Sequence, residues 1–164
     1  MIVGRKRSLA LAQGIEIPVR SRKGRCGMSS IRVLVVEDFA PFRRFICSTL
    51  EKRQHLKVIC EAADGLEAVQ KAQELKPELI FLDIGLPKLS GFAAARQICQ
   101  LCPDSKIIFV TQESAPDVVQ EALRLGARGY VRKTSAGIDL LAALEAVLEG
   151  RQFVSSGLLT SIPA

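Results

Sequence analysis

Long hydrophobic runs are missing from this chain of 164 residues. Although 48% of it is hydrophobic, charges break every apolar stretch well before the roughly 18 residues that a membrane span needs. A cleaved secretory leader is not expected either, because after Arg5-Lys6-Arg7 the apolar stretch Leu9–Ala12 is interrupted by Gln13 and Gly14. Five cysteines without a regular framework, in a chain large enough to bury its own core, fit free thiols in a cytoplasmic compartment better than a disulfide-stapled secreted domain. Histidine is nearly absent. The sole His55 lies in the turn before the second apolar run and reads as a solvated loop residue, so any phosphohistidine must come from another protein. No internal repeat is present.

Positive charge is present but badly distributed. The formal net charge is +6, and residues 1–27 account for all of it, with seven bases (Arg5, Lys6, Arg7, Arg20, Arg22, Lys23, Arg25) against Glu16 alone. From Met28 onward bases and acids balance at sixteen each, which removes the electrostatic reason for the folded part to seek nucleic acid. Residues 1–28 are expected to be a basic, disordered leader, or an over-long start with Met28 as the first residue. As a nucleic-acid arm, this leader would give salt-dependent DNA binding that is lost on deleting residues 1–27.

From Ile31 short β-branched runs alternate with segments of helical period, the pattern of βα units around a parallel sheet. The expected strands are Ile31–Val36, Lys57–Cys60, Leu79–Leu82, Lys106–Val110 and Gly129–Val131; the first, third and fourth are apolar enough to form the sheet centre. The expected helices are Pro41–Arg53, Leu66–Leu75, Gly91–Leu101, Pro116–Leu125 and Ile138–Glu149. Pro41 and Pro116 suit first helical turns, while Pro77, Pro103 and Gly126 mark ends. The implied fold is α/β: a single doubly wound five-stranded parallel sheet flanked by five helices over residues 29–150. Residues 151–164 read as a C-terminal tail or linker stub.

Ligands of open parallel sheets bind off the carboxyl ends of the strands. There the first strand ends in Glu37-Asp38, the third in Asp83 and the fourth in Thr111, while the fifth leads through Tyr130 to Lys133. Converging carboxylates repel one another unless a cation intervenes, and hard oxygen ligands suit Mg2+. A carboxylate beside magnesium can attack phosphorus, with Lys133 and Thr111 holding the phosphoryl oxygens, which is aspartyl phosphate chemistry. Singly, each residue reads equally well as a solvated loop residue or helix cap.

The segment from Ile31 to Gly150 resembles a response-regulator receiver domain. The likeness lies in Val33-Leu34-Val35-Val36-Glu37-Asp38, in Asp83-Ile84-Gly85-Leu86-Pro87 with Gly91, and in Gly126-Ala127-Arg128-Gly129-Tyr130-Val131-Arg132-Lys133. It implies a flavodoxin-like fold with Asp83 as phosphoacceptor. Asp38 would be a direct metal ligand, Glu37 a ligand through water, and the backbone carbonyl of Gly85 a further ligand. Thr111 would swing to the phosphoryl group, Lys133 would pair with it, and Tyr130 would move between outward and inward positions. Partners implied are a histidine kinase or phosphotransfer protein as donor, a downstream protein target, and a second copy through the fourth helix to fifth helix face. Such a protein catalyses its own phosphorylation and dephosphorylation and is not a conventional enzyme.

Leu86 stands where the family usually has Met, Gln112 where it has Ala or Gly, and Thr134 where many members have Pro. The Thr134 variant and Gly150-Arg151-Gln152-Phe153-Val154-Ser155-Ser156 resemble the receiver and linker of LuxR-type regulators, without a recognition helix following. The expectation is therefore a stand-alone receiver, or else a fragment of a LuxR-type DNA-binding regulator. A phosphohydrolase acting on small substrates would place a second Asp where Gly85 stands, so that reading lacks its general acid. Cys99 and Cys102 have redox or zinc spacing but no second pair to complete a site, and Cys47 and Cys60 read as core.

Overall fold

The alternation unfolds as β1 (Ile31–Val36), α1 (Ala40–Glu51), β2 (Leu56–Ala62), α2 (Gly65–Leu75), β3 (Leu79–Leu82), α3 (Gly91–Leu101), β4 (Lys106–Thr111), α4 (Pro116–Arg124), β5 (Gly129–Arg132), α5 (Ala136–Leu148) and β6 (Phe153–Val154). These elements come from a computed structural model that describes residues 29–158. The basic leader and the last residues of the expected tail lie outside the described residues.

All strand pairs are parallel, in the order β2-β1-β3-β4-β5-β6. Val33–Val36, Leu79–Leu82 and Ile107–Thr111 are buried, so β1, β3 and β4 form the centre, as their unbroken apolar runs required. Alternate residues feed two cores. Leu34, Val36, Ile80, Leu82, Phe109 and Tyr130 pack with α2, α3 and α4. Val33, Val35, Leu79, Phe81, Ile108 and Val131 pack with α1 and α5. Among the described residues no helix is long and apolar enough to cross a membrane.

Local chemistry fixes the helix starts at the carboxyl end of the sheet. Asp64 caps α2 by accepting the Glu67 N–H at 2.8 Å, and Ser90 caps α3 by accepting the Ala93 N–H at 3.3 Å. Gly91 is required by close approach, since a Cβ there would stand 1.9 Å from the Asp83 carbonyl oxygen.

The sequence reading stopped the sheet at five strands and took residues 151–164 as a tail. Here the structure adds to it. Phe153 N–H donates to the Arg128 carbonyl at 3.0 Å and Ser155 N–H to the Tyr130 carbonyl at 2.9 Å, making a sixth strand beside β5. Ser155 and Leu158 are buried. Two residues are too few to display a strand period, which is why this element was not visible in sequence. β2 is longer than expected, and a register shift between Val33 and Leu34 accompanies its pairing with β1. α5 begins at Ala136, before the expected Ile138, because a 3-10 turn over Lys133–Ser135 leads directly into it.

Candidate functional site

Strand order reverses between β1 and β3, so the residues that leave these neighbours are brought together. The ladder continues past both strands, with Glu37 N–H on the Ala62 carbonyl at 3.0 Å and Asp83 N–H on the Val36 carbonyl at 3.1 Å. Glu37 is fully buried, Asp83 is 6% exposed and Asp38 is exposed. One carboxylate oxygen from each lies within 4.8 Å of the other two. They line a cavity of about 860 Å3 that also takes in Phe42, Gly85, Thr111, Gln112 and Lys133.

Lys133, set just past β5, supplies the positive charge. Its Nζ stands 2.7 Å from Glu37 Oε2 and 2.8 Å from Asp83 Oδ2, and 5.1 Å from the Phe42 ring centroid. Burial works against the Lys133 charge, and the contacts with Asp83 and Glu37 outweigh it, so its pKa is raised. Burial also pushes Glu37 above the usual carboxylate range, against the opposing effects of Lys133 and the Phe39 N–H at 3.0 Å. Despite its short contact, Glu37 Oε2 lacks an aligned hydrogen bond. Three carboxylates thus stand beside one ammonium, an excess of negative charge. A donor set of this kind fits a small, hard divalent cation.

Thr111, at the end of β4, is 2% exposed, and its Oγ1 accepts the Glu113 N–H at 3.3 Å. The Tyr130 hydroxyl donates to the carbonyl of the same Glu113 at 2.9 Å. Tyr130 is wholly buried, its ring centroid 6.4 Å from that of Phe109, so it occupies the inward position. Burial, then the charges of Glu113 and Asp83, push its hydroxyl pKa upward. The structure therefore gathers Glu37, Asp38, Asp83, Gly85, Thr111 and Lys133 around one cavity and sets Tyr130 behind it, one residue's peptide away from Thr111.

Sequence reasoning missed three neighbours. Arg43 donates from Nη1 to the Glu37 carbonyl at 2.6 Å and from Nε to Glu61 Oε2 at 2.9 Å, tying the acidic pair to β2. Phe42 and Glu113 were missed too. Phe42 and Arg43 fall one helical turn beyond Asp38, a spacing that could have signalled them; the path of the loop carrying Glu113 has no such signal. Cys102 is buried with Sγ toward the Ala72 carbonyl and half-buried Cys99 faces Leu125, so the two serve packing at separate places. Cys47 is buried, chiefly for which reason its thiol is pushed up to about 11, and Cys60 is half-buried. His55 contributes its carbonyl, which accepts the Ile31 N–H at 2.8 Å.

The family model described as the response regulator receiver domain matches residues 33–145. The chain is 32% identical over 133 residues to the oxygen regulatory protein NreC of Staphylococcus epidermidis, covering 80% of this chain and 61% of that protein. It therefore spans less than two thirds of that relative's length. Among solved structures it is similar to a LuxR-family two-component response regulator from Aurantimonas sp. SI85-9A1, with a TM-score of 0.77, 32% identity, and coverage of 82% of this chain and 96% of that one. The response regulator domain of Thermotoga maritima CheB gives a TM-score of 0.63 at 36% identity, covering 74% and 92%.

Proposed function

The chain belongs to the response-regulator receiver family, and from that premise we propose that it is a phosphorylation switch with Asp83 as the phosphoacceptor. One observation carries the reading: the almost buried Asp83 carboxylate lines the cavity beside Glu37, Asp38 and the Lys133 ammonium. The donor is the phosphohistidine of a histidine kinase or phosphotransfer protein. An Asp83 oxygen forms the new P–O bond as the donor's P–N bond breaks and its electron pair leaves with the imidazole. Glu37, Asp38, Asp83 and the Gly85 backbone carbonyl would hold Mg2+, which when bound supplies positive charge to the phosphoryl oxygens. Lys133 follows the negative charge from the carboxylate onto the phosphoryl group.

When the Thr111 hydroxyl turns to the phosphoryl group it gives up the Glu113 N–H. Because Glu113 also holds the Tyr130 hydroxyl, the loop after β4 transmits the change to Tyr130 and to the face made by α4, β5 and α5. Output then passes to a downstream protein in the cytoplasm, or to a second copy through the α4 to α5 face. Water resets the switch: its oxygen forms a new bond to phosphorus as the P–O bond to Asp83 breaks, releasing inorganic phosphate and restoring the carboxylate. The chain turns over only its own phosphoryl group, so it is not a conventional enzyme. Gln112, on the cavity wall, slows loading from small donors, and Gln112→Ala loads faster.

The test is intact mass after incubation with magnesium and a small acyl phosphate, with beryllofluoride binding as a check, on wild type and Asp83→Asn. A phosphoryl adduct or bound beryllofluoride in wild type alone is expected. Neither appearing in folded protein would leave a constitutive interaction module. A second reading, part of a LuxR-type DNA-binding regulator, is favoured by the 61% coverage of NreC. A native cellular product markedly heavier than 17.8 kDa would decide for it.

A further inference from the structure

Residues 152–158 are fastened to the domain by more bonds than a linker needs. Ser155, fully buried, is the centre: its Oγ donates to Asp139 Oδ2 at 2.6 Å and accepts the Arg132 N–H at 3.1 Å. Ser135 Oγ lies 2.7 Å from the same Asp139 oxygen and 3.3 Å from the Arg132 carbonyl. The Arg132 N–H, on the residue directly before Lys133, is thus held by this cluster, and the Arg132 carbonyl lies beside it. Two residues earlier, Tyr130 gives its carbonyl to the Ser155 N–H and faces Val154 across the ladder. Val154 and buried Leu158 join the core cluster that contains Tyr130.

We propose that the Phe153–Leu158 segment is a clasp that holds Tyr130 inward and sets the turn bearing Lys133, with Ser155 as its positioning residue. The physical argument is one of shared backbone. The residues that would respond to the phosphoryl group, Tyr130 and Lys133, flank Arg132, and the clasp grips the chain at Tyr130 and at Arg132. A change at either residue must be accommodated by the clasp, and loss of the clasp must loosen both. Linkage makes the effect reciprocal: occupancy of the Asp83 site alters the closure of the clasp as much as the clasp alters occupancy. Any sequence attached beyond Leu158 would feel that closure. The hold on Tyr130 stands on the contacts alone, whereas the link to occupancy rests on the function proposed above.

The chain has one tyrosine and no tryptophan, so its intrinsic fluorescence reports Tyr130 alone. Wild type, Ser155→Ala, Ser155→Thr and Leu158→Ala would be compared by acrylamide quenching and amide hydrogen exchange. Ser155→Ala and Leu158→Ala are expected to make Tyr130 more quenchable. Ser155→Ala should also speed exchange at Arg132 by about fivefold or more, with β1 and β3 amides unchanged and Ser155→Thr close to wild type. Unchanged quenching in both folded alanine variants, or equal loosening of every strand, overturns the clasp. In a second arm, saturating magnesium and beryllofluoride, with binding verified by the fluorine signal, should change exchange at Phe153 and Ser155 by a similar factor. Bound beryllofluoride with no change there refutes the link and spares the phosphoacceptor reading. Absence of the fluorine signal refutes that reading, and the link with it, while the first arm alone decides whether the clasp holds Tyr130.

Discussion

The two ends of the sheet treat charge in opposite ways. At the amino end, where the helices finish, cations are spent on helix carbonyls: Arg32 donates to Leu75 at 2.8 Å and to Lys76 at 2.5 Å, and Lys106 Nζ reaches Val147 at 3.4 Å. Ser105 caps the Pro77 carbonyl at 2.6 Å, and the hollow among these residues is only about 200 Å3. At the carboxyl end the helices begin, which favours anions, yet Glu37 and Asp83 share one ammonium and Asp38 stands beside them without it. The amino end is satisfied by its own groups. The carboxyl end is left with charge that an external cation can complete, and that surplus marks the working end of a symmetric-looking scaffold.

The largest expected effect is at Lys133. Lys133→Met leaves buried Glu37 without its ammonium and should cost about 4 kcal/mol in urea unfolding without magnesium. Added magnesium should recover part of this, and equal losses with and without it would break the contrast between the ends. Gly91→Ala forces a Cβ against the Asp83 carbonyl and is expected to cost about 3 kcal/mol, with weaker magnesium binding by titration. At the other end Arg32→Ala should cost about 1 kcal/mol, unaffected by magnesium, because the partly exposed guanidinium serves only local carbonyls and Glu78.

Asp64 sharpens the comparison from within the carboxyl end, since it is an anion that is fully paired. The Glu67 N–H, then Lys88 at 2.7 Å, hold its carboxyl below its ordinary value of 3.8. A folded pKa below the unfolded one gives stability that is present above 3.8 and lost as pH falls through the folded value. The stability gap between wild type and Asp64→Asn should therefore hold steady from neutral pH to 3.8 and close below it, read by urea unfolding at stepped pH.

Sequence revealed the features that repeat or that stand at strand ends. Val33–Val36 and Leu79–Leu82 are unbroken apolar runs, so their central place was readable; Asp83 was legible because it directly follows one, and Lys133 because it stands two residues past Val131, where the fifth expected strand ends. What escaped has no period. Ser155 looked like linker composition, and its burial follows from a two-residue pairing with β5. Glu113 matters through its peptide group, which any residue type carries, and the inward position of Tyr130 is a rotamer that the letter Y does not encode.

Lys133 meets Asp83 across 50 residues of chain, and meets Glu37 across still more. The pocket is consequently a late product of synthesis. A nascent chain that has released β1 to β4 holds the acidic residues with no ammonium beside them, and the charge balance closes only when β5 and its turn have left the ribosome. The complete cluster is therefore a property of the finished domain and of no shorter piece of it that ends before Lys133.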